Sequence, residues 1–124
     1  MREYVYHIWL GLFGPGSPEN YFVQEYVDDD TPQSQFGAEQ GEHFFDTDFV
    51  EISFPIEPLP VGELVDGHSY SASYLDALAQ KAAELGINEV NVFVLAKKVE
   101  FASPRSAAGS GYKLWYLGEF VCRE

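Results

Sequence analysis

The sequence predicts an α+β fold: a single domain over residues 1–124 in which a small antiparallel sheet packs against two to three helices. Three observations support this. A β-rich stretch at residues 4–10 precedes a region with helical signals. An amphipathic helical pattern covers residues 71–85, and strand-like patterns follow at residues 90–101 and 112–122. A chain of 124 residues fits one domain and can bury a core.

The first elements are a strand and a helix. Residues 4–10 (YVYHIWL) are rich in β-formers and lead into a glycine-proline turn, which predicts the first strand. Ser17-Pro18-Glu19 combines a capping residue, a proline suited to the first helical position and an acid in the first turn. This combination predicts a helix that runs to about Val27.

Thr31-Pro32 repeats the same signal and predicts a short helix over residues 32–40 that ends at Gly41. Residues 49–54 favour an extended segment, because apolar residues alternate there. A helical alternative stays open, since Phe45, Phe49 and Ile52 recur at helical spacing. The following PIEPLPVG is rich in proline, which predicts a loop.

The strongest helical pattern is that of residues 71–85. Its expected buried face consists of Leu75, Leu78, Ala79, Ala82 and Leu85. Ser73 with Asp76 fits a capping box, and Gly86 fits a helix stop. The predicted strands at 90–101 and 112–122 are expected to pair as a C-terminal β-hairpin across the small, polar loop 102–111.

Charge is distributed unevenly along the chain. The net charge is −13, and residues 1–66 hold 14 acids and one base, whereas residues 67–124 hold six of each. An acidic field repels nucleic acid and anionic membranes and attracts basic proteins. Acidity can also serve solubility alone, but its one-sided placement favours a basic protein partner. The oligomeric state does not follow from the sequence.

Cysteine usage and the N-terminus bear on the compartment. Cys122 is the single cysteine, so an intramolecular disulfide is impossible, which fits a reducing environment. The N-terminal residues lack the pattern of a signal peptide, and no apolar run approaches the roughly 20 residues of a membrane helix. We therefore expect a soluble cytoplasmic protein.

The stretch HFFDTDFVE, residues 43–51, holds the most suggestive carboxylates. Asp46, Asp48 and Glu51 are oxygen ligands that would suit Mg²⁺, Mn²⁺ or Ca²⁺ and could serve a small metal-dependent hydrolase. A bare D-x-D is common, however, and no calcium-loop pattern follows. The favoured interpretation is an acidic surface without a metal or other cofactor, although Asp46 could instead accept backbone hydrogen bonds within its loop.

Motifs for other chemistries are lacking. The sequence has no G-x-S-x-G elbow and no P-loop lysine. The histidines, His7, His43 and His68, fall in separate segments, and His7 is expected to be structural. Cys122 is expected to be a buried small hydrophobe. From the residues alone, the chain is therefore a motif-poor domain.

Four segments come in one order: HIWLGLF at residues 7–13, YFVQEYVDDD at 21–30, SQFGAEQG at 34–41 and FFDTDFVE at 44–51. Together they resemble the immunity protein 22 family of bacterial polymorphic toxin systems, over roughly residues 6–54. The C-terminal half matches only as a generic helix and two strands. The resemblance implies a non-enzymatic, cytoplasmic antitoxin that binds a cognate toxin and blocks its active site or substrate access. It does not identify the toxin.

The acidic half is the expected partner-binding region. The predicted contact residues are Asp28, Asp29, Asp30, Asp46, Asp48 and Glu51, with Tyr26 and Phe36 as apolar neighbours. Two alternatives remain open at this stage. One is the metal-dependent hydrolase, and the other is a scaffold or regulatory module without a toxin partner.

Overall fold

The computed structural model describes residues 3–14, 17–23, 25–26, 32–42, 49–55, 57–68 and 71–123, with only the backbone for 25–26 and 32–33. The strands are β1 (Glu3–Phe13), β2 (Glu25–Tyr26), β3 (Pro32–Gln33), β4 (Val50–Ser53), β5 (Leu59–Pro60), β6 (Glu89–Val90), β7 (Val92–Lys97), β8 (Ala107–Gly109) and β9 (Tyr112–Arg123). The α-helices are α1 (Ser17–Phe22), α2 (Gln35–Glu39), α3 (Val61–Val65) and α4 (Ser71–Glu84), and a 3-10 turn spans Lys98–Glu100.

The main sheet has five antiparallel strands in the order β4-β7-β1-β9-β8. The pairs β2-β3 and β5-β6 form two small ribbons. Strands β1 and β9 pair along nearly their whole length, with a bulge after Ile8. Gly118 pairs with Ile8 at this bulge and has a φ of 109°, a conformation that glycine adopts without the strain of a Cβ atom.

The central position of β1 follows from its composition. Alternate side chains of a strand point to opposite faces, and here both sets are large and apolar. Ile8 and Leu10 lie in the core on one face, and Trp9 and Phe13 lie in the core on the other. Because both faces of β1 are buried, helices must cover both sides of the sheet.

The first core lies between the sheet and the pair α3 and α4. The helical side chains Tyr74, Leu78 and Ala82 pack there with Phe93 of β7. The second core lies between the sheet and the pair α1 and α2, and it is largely aromatic. It contains Trp9, Phe13, Tyr21, Phe36 and Phe101.

The structure confirms the α+β class and several predicted elements. Strands lie in the predicted stretches 4–10, 49–54 and 112–122, and helix α4 covers residues 71–84 of the predicted 71–85. The predicted pairing of strand 90–101 with strand 112–122 is wrong, because β1 lies between β7 and β9. The hairpin partner of β9 is β8, which forms within the segment predicted to be a loop.

Several helix boundaries also differ from the prediction. Helix α1 ends at Phe22 instead of near Val27. Helix α2 begins at Gln35, because the hydroxyl of Ser34 accepts a hydrogen bond from the Gly37 amide and caps the helix there. The proline-rich segment predicted to be a loop contains β5 and α3.

In α4 the predicted capping box and part of the predicted buried face are wrong. The helix begins at Ser71, so Ser73 lies in its first turn, where its Oγ accepts a 2.9 Å hydrogen bond from the amide of Arg123. Leu85 lies beyond the helix and is 55% exposed. Tyr74, which the pattern did not include, is buried instead. Within the described residues, no helix has the length and apolar character needed to span a membrane.

Candidate functional site

The aspartates predicted to contact a partner lie outside the described residues. Asp28, Asp29 and Asp30 belong to the chain connection between β2 and β3. Asp46 and Asp48 belong to the connection between α2 and β4, as does His43. The roles assigned to these residues therefore stay predictions.

Of the two predicted apolar neighbours, only Phe36 has a described side chain, since Tyr26 is described through its backbone pairing with Pro32. Phe36 is 0% exposed and makes a T-shaped contact with Trp9, with ring centroids 5.3 Å apart. It lies in the second core and is not part of the outer surface. The expectation that Phe36 lines a partner surface is corrected accordingly, because helix α2 turns this ring toward the sheet.

Glu51 lies on β4 and extends to the side of the sheet covered by α3 and α4. Its Oε1 is 3.2 Å from Nδ1 of His68, and the His68 ring packs against Phe93 with centroids 4.6 Å apart. Burial raises the pKa of Cys122 to about 11, and the negative charge of Glu51 adds to this effect. Cys122 is thus a protonated, buried thiol at neutral pH, as the sequence predicted, and is a poor nucleophile.

The three-carboxylate metal site cannot be assembled from the described residues alone. Among them, no group of three His, Cys, Asp or Glu side chains is placed to hold a metal ion. Glu51 is the one member of the predicted trio with described coordinates. The hypothesis of a metal ion at Asp46, Asp48 and Glu51 stays untested.

Ion pairing among the described residues leaves most first-half acids without a basic partner. Arg123 pairs with Glu3 at 2.8 Å, and Lys98 pairs with Glu119 of the second half at 2.8 Å. Within the described part of the chain, Lys and Arg nitrogens lie beyond 4.0 Å from the carboxylates of most of the other first-half acids. Among them are Glu19, Glu39, Glu42, Glu57, Glu63 and Asp66.

Glu39, at the end of α2, has a hydrogen-bond donor at each of its two carboxylate oxygens. Its Oε1 accepts a 2.6 Å hydrogen bond from the hydroxyl of Tyr21 in α1, and its Oε2 accepts a 2.6 Å hydrogen bond from the hydroxyl of Tyr112 in β9. One turn earlier on α2, Gln35 Nε2 donates to the Tyr112 hydroxyl at 3.3 Å. We call Tyr21, Glu39 and Tyr112 the Tyr-Glu-Tyr network.

The two tyrosines of the network are fixed as hydrogen-bond donors. Burial raises the pKa of Tyr21, and the hydrogen bond to the Glu39 carboxylate raises it further. The pKa of Tyr112 is raised by the same two causes in the same order. Both hydroxyls therefore keep their protons at neutral pH, and short bonds of this kind to a carboxylate are strong.

A small open cavity adjoins this network. It has a volume of about 170 Å³, and its lining residues are Phe13, Ser17, Asn20, Tyr21, Gln35, Ser110 and Tyr112. The lining combines aromatic rings with uncharged polar side chains. The cavity therefore offers hydrogen-bond groups beside a carboxylate.

No local sequence pattern indicates this arrangement. Tyr112 follows Glu39 by 73 positions and lies in the half of the chain with balanced charge. The i, i+4 spacing of Gln35 and Glu39 on a helix was the one pattern that could have placed two of these side chains together. Tyr21 and Tyr112 reach Glu39 only because helix α1 and strand β9 lie close to α2 in the folded chain.

Comparison with protein families gave one match. The family model described as Immunity protein 22 matches residues 6–122. The chain belongs to the immunity protein 22 family. The match extends into β9, far beyond residues 6–54, whose segments carry the resemblance. Comparisons with curated proteins and with solved structures gave no match.

The extent of the match matters for the site. The Tyr-Glu-Tyr network of this immunity protein 22 member draws Tyr21 and Glu39 from the acidic half and Tyr112 from the balanced half. All three lie within the matched residues. The region of interest thus involves both halves of the family domain, whereas the sequence pointed to the first half alone.

Proposed function

We propose that this immunity protein 22 family member is a cytoplasmic antitoxin that binds and neutralises a cognate basic toxin, such as a nuclease. It acts by occupying the active site of the toxin or the path to it, and it performs no chemistry. The observation that carries the proposal is the family membership together with the segregation of charge: 14 acids and one base in residues 1–66.

The charge distribution supports a basic partner on physical grounds. Surface carboxylates that have no Lys or Arg partner among the described residues are available to pair with the cations of another protein. The field of such a surface speeds the encounter with a basic protein and opposes the approach of anionic ones. For a nuclease, whose substrate is polyanionic, an acidic inhibitor would compete for the same basic groove.

The proposed interface combines the acidic connections with their described surroundings. It contains Asp28, Asp29, Asp30, Asp46, Asp48, Glu51 and Tyr26. The first connection lies between α1 and α2 in the chain, and the second follows α2 directly. Helices α1 and α2 contact each other on one face of the sheet, and Glu51 lies on the edge strand β4 with its side chain toward His68 on the other face.

Co-expression tests the proposal directly. The product of the gene adjacent to the one encoding this chain is expressed alone and then together with this protein. We expect growth arrest in the first case, rescue in the second, and recovery of a complex of the two proteins by affinity purification.

The rescue needs a matched comparison. A variant carrying Asp28→Asn, Asp29→Asn and Asp30→Asn, expressed to the same level, should rescue less well than the unchanged protein. A neighbouring product that is harmless when expressed alone, or a toxin whose action persists although this protein is folded and abundant, would contradict the antitoxin function.

A further inference from the structure

The cavity beside the Tyr-Glu-Tyr network has the features of a receptor for one side chain of a partner. Its opening lies on the side of the molecule formed by α1, α2 and the start of β9, and its walls are fixed by secondary structure. Tyr21 and Phe13 are both almost fully buried, at 2% and 4% exposure, so the floor of the cavity is part of the packed second core. A site built on such a core is preorganised, which lowers the entropic cost of binding.

The negative charge of Glu39 indicates that the group bound in the cavity carries a positive charge. Glu39 is not among the lining residues, but its two oxygens accept hydrogen bonds from Tyr21 and Tyr112, which are, so its negative charge acts on the cavity across these two hydroxyls. Within the described residues no Lys or Arg neutralises it. The two tyrosines disperse the negative charge but do not cancel it, so a cation that enters the cavity gains a favourable interaction.

The polar lining favours a guanidinium over an ammonium group. Gln35, Asn20, Ser17 and Ser110 carry side-chain oxygens that can accept hydrogen bonds around the cavity. A guanidinium has five N–H donors in a planar fork, so it can satisfy several separated acceptors at once. The aromatic rings of Phe13 and Tyr112, which stack with centroids 4.9 Å apart, provide an apolar wall for the arginine stem.

We propose that this cavity binds an arginine side chain of the toxin, with Glu39 as the charge partner and Tyr21 and Tyr112 holding the carboxylate in place. The proposal rests on the proposed antitoxin function and adds to it the position of one anchoring contact. The proposed arginine contact lies outside the acidic connections and involves Tyr112 of the second half of the chain.

The first test uses the free protein and needs no toxin. N-acetyl-arginine amide is titrated into ¹⁵N-labelled protein, with the neutral isostere N-acetyl-citrulline amide as control and N-acetyl-lysine amide as a third ligand. We expect saturable amide shifts at Gln35, Ser110 and Tyr112 with the arginine compound. A ligand of this size should bind with a Kd on the order of 1 mM.

The controls of this titration decide the outcome. The citrulline compound should give no saturable shifts, the lysine compound should bind several-fold more weakly, and Glu39→Gln should abolish the effect of the arginine compound. Equal shifts with arginine and citrulline, or shifts confined to other surfaces, would overturn the proposal whatever the fate of the antitoxin function.

The second test uses the complex with the neighbouring gene's product. Glu39→Gln and Tyr112→Phe should each increase the dissociation rate at least tenfold, while Glu84→Gln, at an exposed acid on α4 in the balanced half, should change it less than twofold. Circular dichroism melting of each variant verifies folding, and Tyr112→Phe keeps the ring if Glu39→Gln folds poorly. If the complex forms and neither Glu39→Gln nor Tyr112→Phe affects dissociation, the arginine site is wrong although the antitoxin function stands. If no complex forms, the antitoxin function fails.

Discussion

The side chain of Gln40 and the backbone of Arg105 form a reciprocal pair of hydrogen bonds. Gln40 Oε1 accepts from the Arg105 amide at 2.7 Å, and Gln40 Nε2 donates to the Arg105 carbonyl at 2.9 Å. Trp9 Nε1 donates to the same carbonyl at 3.1 Å. Gln40 is 0% exposed, so this contact connects the end of α2 to the segment before β8 within the second core.

Replacing Gln40 by Met tests the value of this contact. The substitution keeps the length of the side chain but removes both Gln40 hydrogen bonds, so the Arg105 amide loses its partner while the Arg105 carbonyl keeps the bond from Trp9. Leaving the amide unpaired should lower the free energy of unfolding by roughly 1–3 kcal/mol. Urea denaturation should show a lower midpoint with an unchanged m-value.

The matched control for Gln40→Met is Gln80→Met on the exposed side of α4. A surface substitution of this type should change the free energy of unfolding by no more than about 0.5 kcal/mol. Equal effects of the two substitutions would show that the Gln40 contact does not stabilise the fold.

Much of the local structure could be predicted from the sequence, whereas the strand order could not. The helix of residues 71–84 follows from its apolar periodicity, and β1 follows from its β-rich composition. The pairing was missed because adjacent strands in the sequence often form hairpins, and nothing local shows that β1 inserts between β7 and β9. Strand β8 was missed because its sequence, Ala-Ala-Gly, has low β-propensity and forms through pairing with β9.

His7 should make the stability depend on pH. Burial lowers the pKa of His7 below 6.5, with the negative charge of Glu119 acting in the opposite direction. As the pH falls below about 6.5, the unfolded chain takes up a proton that the folded chain resists, so the folded state loses stability. The loss is at most about 1.4 kcal/mol per pH unit for one proton.

The His7 contribution can be isolated with the variant His7→Gln. Between pH 7.5 and pH 5.5, the urea midpoint of the unchanged protein should fall more than that of His7→Gln, because the other titrating groups are common to both proteins. Parallel pH profiles for the two proteins would contradict this assignment.

Cys122 should be unreactive in the folded state. Its side chain is 0% exposed, and its pKa is raised to about 11 by burial, with a further contribution from Glu51. Reaction with a thiol reagent at pH 8 should therefore be slow and should approach the rate of a free thiol only in denaturing urea. Rapid stoichiometric labelling of the folded protein would show that the strand carrying Cys122 opens readily.

The candidate site was only partly accessible to sequence reasoning. Charge counting identifies the acidic half because charge is a property of composition alone. The position of Glu39 between Tyr21 and Tyr112 depends on helix α1, helix α2 and strand β9 meeting in space, and no spacing in the sequence encodes that meeting. Phe36 is predicted as an apolar neighbour of the partner-binding acids, although its side chain packs in the second core.

The proposed function requires that the acidic half of the chain guides and binds a basic toxin. The most direct measurement is the association rate with the immobilised toxin at low and high salt. It compares the unchanged protein with Asp28→Asn, Asp29→Asn and Asp30→Asn combined, and with Asp76→Asn, Glu84→Gln and Glu89→Gln combined. The second variant removes the same number of charges from exposed positions of the balanced half. At low salt the first variant should associate roughly tenfold more slowly, since fields of this kind alter on-rates by about 10–10³, and high salt should erase the difference. Equal slowing by the two variants would contradict the claim.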